Sequence, residues 1–149
     1  MEVQTMEIKR ASIKEAGLVA KLAIKMWEDN SVDGLEADFV DYMNNDGAIF
    51  VAYDNDTAVA FAQCGFRHDY VEGTETSPVG YLEGVFVEEG YRRQGVARSL
   101  VRECQMFAKE QGCTEFASDC ELSNEESLKF HLKLEFEEAN RIICFTKKL

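Results

Sequence analysis

Apolar positions along this chain recur with two different periods, and the places where the period changes mark out its elements. Met6–Ala11 has the alternation of a short strand. Ser12-Ile13-Lys14-Glu15 is a capping-box pattern, and Ile13, Ala16, Ala20, Ala23 and Trp27 then repeat at helical spacing. Asp33-Gly34-Leu35-Glu36 begins a second, acidic helix, with Leu35, Phe39 and Tyr42 or Met43 as its buried stripe. Ala48–Tyr53 and Ala58–Phe66 are β-rich runs parted by the turn residues Asp54-Asn55-Asp56-Thr57. Arg67–Val79 is irregular and holds the single proline, Pro78; loops of this length are more often functional than short ones. Val79–Val87 reads as a strand, and Gly95–Gln111 as a helix with Ala97, Leu100, Val101, Cys104, Phe107 and Ala108 on one face and Gly112 as its stop. A strand over Thr114–Asp119, a helix opened by Ser123-Asn124-Glu125-Glu126 and running to Leu134, and a strand over Arg141–Thr146 complete the chain. The order β-α-α-β-β-β-α-β-α-β, without repeat or linker, predicts one α/β domain over residues 1–149.

The stretch Gly80–Ala97, GYLEGVFVEEGYRRQGVA, adds chemistry to this outline. A strand runs into an Arg/Gly-rich turn that opens directly onto a helix. The first N–H groups of a helix lack intrahelical partners, and its dipole favours negative charge there. Gly95 lets a phosphate approach the backbone, while Arg92, Arg93 and Arg98 surround the turn with positive charge. The local chemistry asks for a phosphate-bearing ligand.

Charge distribution sharpens the picture more than the net value of −12. Residues 26–91 hold fifteen Asp and Glu and a single base, Arg67, whereas the rest of the chain has thirteen acids against fifteen bases. A cationic partner for the first half and an anionic one for the second fits this segregation; the other reading is a solvated acidic surface. No basic stripe exists for a nucleic acid. No apolar run approaches the ~20 residues of a membrane helix, and the N-terminal MEVQTMEIKR is too polar for a secretory signal. The five cysteines form no CxxC pair and sit in apolar segments, as buried free thiols of a cytoplasmic protein do; a catalytic thiol is the alternative. With only two histidines, no metal-ligand cluster is expected.

Arg92-x-x-Gly95-x-Ala97 resembles the R/Q-x-x-G-x-G/A signature of the GNAT acetyltransferases, in which this loop cradles the pyrophosphate of acetyl-CoA. The resemblance covers nearly the whole chain. It implies a mixed, twisted sheet with helices on both faces and splayed central strands, with pantetheine entering the gap. It further implies that Arg92, Arg93, Gln94, Gly95, Val96, Ala97 and Arg98 hold the pyrophosphate, that Asn124 and Ser127 touch the cofactor, that the Val85 N–H stabilises the thioester oxyanion, and that Val87 pairs with pantetheine. His131 stands where the family usually has a tyrosine general acid, and Glu135 where it usually has glycine. An imidazole can donate a proton near pH 7; a helix histidine packed beside the cofactor is the other reading.

By period two, Tyr81, Glu83 and Val85 share one strand face. A carboxylate between Leu82 and Val85 is costly to bury without a purpose, so Glu83 is either functional or ion-paired. Asp119 closes a strand at its C-terminal end, where α/β ligand sites cluster, or is a turn aspartate. The blocks Phe66–Gly84, FRHDYVEGTETSPVGYLEG, and Cys113–Asp119, CTEFASD, are similar to those of the small aminoglycoside 6'-N-acetyltransferases, and Trp27 fits the same pattern. That resemblance implies a polycationic acceptor, met by Asp119, Glu83, Glu75, Tyr70 and Trp27, and a homodimer in which Tyr70 and Glu75 contact substrate across the subunits. Trp27 as a core anchor and Glu75 as a solvated acid remain open. The competing functions are an acetyltransferase for another amine, such as a polyamine or a protein N-terminus, and a CoA-binding module without catalysis.

Overall fold

A computed structural model of the chain describes residues 6–149. Five strands form one sheet in sequence order: β1 (Glu7–Arg10), β2 (Ala48–Asp54), β3 (Thr57–Arg67), β4 (Val79–Val87) and β5 (Phe116–Ser118). The first three pairings are antiparallel, and β4–β5 is parallel. A parallel pair needs a long crossover, and α3 (Val96–Glu110) supplies it.

Alternation along β2 and β3 sends side chains to two cores. Ala48, Phe50, Ala52, Ala60 and Ala62 meet Val96, Leu100, Val101, Cys104 and Phe107 of α3. Ile49, Val51 and Phe61 meet the opposite layer, made by α1 (Ala16–Ala23) and α2 (Val32–Asn44). Ala16, Ala20 and Ala23 of α1 are fully buried; their small size brings that helix close to the sheet, and alanine's helix propensity sustains so short a segment. The helices on both faces are those the sequence predicts.

The element boundaries move in places. A 3-10 turn over Ile13–Glu15 precedes α1, Ser12 N donates to Glu15 Oε1 at 2.8 Å, and Ile13 is 46% exposed rather than part of the buried stripe. The helix ends at Ala23, so Trp27 lies in the turn beyond it. Ser31 caps α2 by accepting from Gly34 N at 3.0 Å. Asn124, not Ser123, caps α4 (Glu125–Lys133): its Oδ1 accepts from Ser127 N at 3.1 Å, so the helix starts one residue later than a cap at Ser123 would place it.

Two expectations fail. Arg141–Thr146 forms no strand; β5, three residues long at the sheet edge, offers it no ladder, and Ile142, Ile143 and Phe145 are 69%, 80% and 87% exposed. Cys64, Cys104 and Cys113 are buried free thiols, but Cys120 and Cys144 are exposed, since each lies outside the packed layers.

Glu135 follows α4 with φ +70°. This left-handed conformation brings Cβ against the neighbouring carbonyl and costs roughly 1–2 kcal/mol in a side-chain-bearing residue. Glu135→Gly is expected to stabilise the fold by about 1 kcal/mol, read as a higher urea midpoint at unchanged slope.

Candidate active site

The site begins at an irregularity in β4. Gln63 pairs with Gly84 and Cys64 with Leu82, so Glu83 is an extra residue in β4, a β-bulge. The ladder parity reverses across it. Upstream, Gly80 N donates to Glu115 O at 3.0 Å and Leu82 O accepts from Ser118, so both residues face β5. Downstream, Glu88 N donates to Val59 O at 2.8 Å, which places Phe86 and Glu88 toward β3 and turns the main-chain groups of Val85 and Val87 to the opposite side. Pairing with β5 stops at Leu82–Ser118. Beyond that rung the Val85 and Val87 amides line the mouth of a fork between the two strands.

The bulge also corrects the shared face expected for Tyr81, Glu83 and Val85. Val85 packs with the α3 core, whereas Gly84 faces Trp27: a Cβ there would stand 2.7 Å from Trp27 Cζ2. The absent side chain of Gly84 lets the edge of the indole reach the strand beside the bulge. Trp27 is half-buried and meets Phe39 and Phe61 at ring distances of 6.4 and 6.2 Å, so it is a core anchor as well as a wall of the region around Glu83.

Asp119 lies just past β5, exposed, and accepts a hydrogen bond on Oδ2 from the Tyr81 hydroxyl. Burial, and then this carboxylate, hold the Tyr81 hydroxyl above the ordinary phenol range, which keeps it a donor. The Arg67 guanidinium lies 4.1 Å from the centroid of the Tyr81 ring and donates to Glu83 Oε1 from Nη2 at 2.6 Å. Although burial opposes it, Glu83 raises the pKa of Arg67 and secures its charge. Glu83 thus has the ion-pair partner that one of the two readings required. Beneath this group the Tyr42 hydroxyl is buried without a hydrogen-bond partner among the described residues, and burial raises its pKa.

On the other side of the fork, Gly95 caps α3 with φ +79° and Arg93 is also left-handed at +63°. A residue with Cβ at position 95 would be strained, so this turn, which aims the first amides of α3 outward, depends on glycine. Arg92 Nε donates to Val87 O at 2.8 Å, and Arg98 Nη2 to Lys133 O at 3.1 Å. These arginines brace the turn against β4 and the end of α4. His131, on α4, has Nδ1 2.6 Å from Ser127 O and Nε2 2.8 Å from Ser118 Oγ, with Phe136 at 5.2 Å.

Residues 18–136 match the model of the Acetyltransferase (GNAT) family. The chain is 38% identical to an aminoglycoside N(6')-acetyltransferase type 1 of Acinetobacter haemolyticus, over 97% of this chain and 99% of that one. The solved structure of aminoglycoside N-acetyltransferase AAC(6')-Iy in complex with CoA superposes with a TM-score of 0.93 at 34% identity, covering 99% of this chain and 98% of the other. A second AAC(6')-Iy structure, in complex with the bisubstrate analogue CoA-S-monomethyl-acetylneamine, gives 0.91 at 34% identity, covering 97% and 99%. The chain belongs to the GNAT acetyltransferase family.

Within this GNAT domain the fork gathers Glu83, Val85, Val87, Trp27, Asp119 and His131 around one stretch of β4, while the turn of residues 92–98 opens α3. Asn124 and Ser127 serve first as the cap of α4. Tyr70 and Glu75 stand apart on the loop of residues 68–78: Tyr70 is 76% exposed with no hydrogen bond among the described residues, and the Glu75 backbone is held by Glu115. The sequence alone gives Arg67, Tyr81, Tyr42 and Ser118 no part in the site's chemistry. Arg67 did carry a signal, as the single base among fifteen acids. Among the described residues no group of three or more His, Cys, Asp or Glu is placed to hold a metal ion, and no helix is long and apolar enough to cross a membrane.

The long loop is tied down by one carboxylate. Glu115 Oε1 accepts from Glu75 N at 2.9 Å, Thr76 N at 2.8 Å and Thr76 Oγ1 at 2.5 Å. The Thr76 hydroxyl first, then these amides, lower the pKa of Glu115. A depressed carboxylate contributes above its unfolded pKa and loses that contribution as pH falls through its native one. Glu115→Ala is therefore expected to speed hydrogen exchange at Glu75 and Thr76 near neutral pH, and acidification to lower the protection factors of the same two amides in the unmodified protein, each measured rate being divided by the intrinsic rate at that pH.

Proposed function

We propose that this chain transfers the acetyl group of acetyl-CoA to the 6'-amine of aminoglycoside antibiotics and so confers resistance. The observation that carries the reading is the fork, where β4 amides turned away from β3, an acidic and aromatic wall and an imidazole converge. Acetyl transfer needs an oxyanion donor, a base for the acceptor amine and an acid for the leaving thiolate. The Val85 N–H meets the developing oxyanion, and Val87 pairs with pantetheine. The turn of Arg92, Arg93, Gln94, Gly95, Val96, Ala97 and Arg98 receives the pyrophosphate on backbone amides, with Asn124 and Ser127 at the cofactor's flank.

An alkyl amine is mostly protonated at neutral pH, so Asp119 binds it as ammonium and takes its proton. Tyr81 holds Oδ2 of that carboxylate in place. Glu83, oriented by Arg67, and Trp27 line the same acceptor side, and Tyr70 and Glu75 contact the sugar from a neighbouring copy. The homodimer this requires is supported by Ile142, Ile143 and Phe145, apolar side chains that a single copy leaves bare. His131 supplies the proton for the thiolate. We place the reaction in the cytoplasm, where acetyl-CoA is available, with neither nucleic acid nor membrane as a partner.

Thiol release from acetyl-CoA decides the matter. Fast release with kanamycin or tobramycin and slow release with spermidine is the expected result. The reverse order assigns the chain to another amine, and tight CoA binding without release to any amine makes it a binding module.

A further inference from the structure

We propose that Ser118 relays the proton from His131 to the leaving thiolate, an inference that rests on His131 as the acid. The Ser118 hydroxyl holds one proton and lies between two groups, 3.1 Å from Leu82 O and 2.8 Å from His131 Nε2. The other ring nitrogen, Nδ1, faces Ser127 O at 2.6 Å, and a carbonyl can only accept. The Nδ1 proton is therefore fixed. If the imidazole were neutral, Leu82 O and Nε2 would compete for the single Ser118 proton. With both ring nitrogens protonated, Nε2–H donates to Ser118 Oγ, the Ser118 proton goes to Leu82 O, and every contact is satisfied. The hydrogen-bond set fits the cation, and the Nε2 proton is the one it can release.

Position makes this a path rather than a local arrangement. Ser118 is the last β5 residue paired with β4, directly at the rung where the fork opens. His131 meets the fork through that hydroxyl, with Phe130 and Phe136 packed on its ring at 5.6 and 5.2 Å. As the C–S bond breaks, its electron pair stays on sulfur. The sulfur takes the Ser118 proton while Oγ takes the proton of Nε2. The imidazolium becomes a neutral imidazole that keeps Nδ1–H on Ser127 O, and solvent then returns a proton to the half-buried ring.

Ser118→Ala is expected to lower kcat about 10²-fold, in the range of lost general acid catalysis, with the Kd for CoA by calorimetry unchanged within about twofold. Ser118→Thr, which keeps the hydroxyl, restores most of the rate. In mixtures of light and heavy water the unmodified enzyme gives a curved proton inventory, and Ser118→Ala a straight one. The side-chain nitrogen resonances of His131 in the free protein give a readout independent of turnover: Ser118→Ala moves Nε2 and leaves Nδ1. The double variant with His131→Gln turns over no slower than His131→Gln alone, because both remove one step. Near-normal turnover of Ser118→Ala beside a slow His131→Gln overturns the relay and leaves the acid in place. Full turnover of His131→Gln is a separate failure, that of the acid assignment beneath it.

Discussion

Asp119→Asn lowers kcat by about 10²–10⁴-fold, the usual span for a lost general base, while the folded state persists. Both halves of this expectation follow from where the residue sits. Asp119 lies past the last rung of β5 and is exposed, so the isosteric amide has no burial cost to meet. Its one strong partner is the Tyr81 hydroxyl, which donates. An amide oxygen accepts that hydrogen bond as well, so the local geometry survives. What disappears is the negative charge that attracts an ammonium and the lone pair basic enough to take its proton. Tyr81→Phe removes only the positioning bond and should cost far less in kcat. The checks are steady-state turnover with a saturating aminoglycoside and a thermal unfolding midpoint measured on the same preparation. Near-normal turnover would remove Asp119 from proton transfer and pass that role to Glu83 through a water.

The largest expected loss of stability is at Phe61. Its side chain is fully buried at the meeting point of three rings: Phe39 at 6.0 Å and 64°, Trp27 at 6.2 Å and 66°, and Phe86 at 6.5 Å and 39°. Edge-to-face pairs of this kind add to the burial of each ring. Phe61→Ala removes them together and is expected to cost about 3–5 kcal/mol. The damage should not stay in the core. Trp27 rests against Gly84 beside the bulge, and Phe86 separates Val85 from Val87, so slack around Phe61 reaches both sides of the fork. Urea unfolding reads the stability loss, and a raised acceptor KM at temperatures where the variant is still folded reads its spread. A stability loss below about 1 kcal/mol would mean that the aromatic cluster collapses into the gap.

Much of this arrangement was legible in the residues. Long periodic segments such as Leu100–Ala108 announced their helix, and the Arg/Gly turn announced the left-handed glycine that opens α3, because Gly95 acts through the backbone alone. The errors in the sheet share one cause, which is that period counting assumes unbroken ladders. Tyr81, Glu83 and Val85 obey period two in the sequence, yet one extra residue puts Val85 on the other face. Nothing local to β4 reveals the bulge, since it is defined by the pairing of Gln63 and Cys64 across the sheet. Arg141–Thr146 has a strand's composition, but a strand exists only with a partner. Asn124 displaced Ser123 as a cap because two good capping residues stand side by side. Ser118 went unnoticed as a small hydroxyl in a short strand; its meaning comes from His131, thirteen residues away on another element.

The bulge at Glu83 has a consequence for how such an enzyme can diverge. Upstream of it, the proposed reaction has β4 and its neighbours address the acceptor with side chains, and any of those can be exchanged one codon at a time. Downstream, the proposed reaction has Val85 and Val87 address the acetyl donor with peptide groups, which every residue but proline possesses. Selection for a new antibiotic can therefore rewrite the first half of the strand while the second half goes on binding the same donor, indifferent to the change. A single-residue deletion at the bulge would be the exception, exchanging the two roles and losing both.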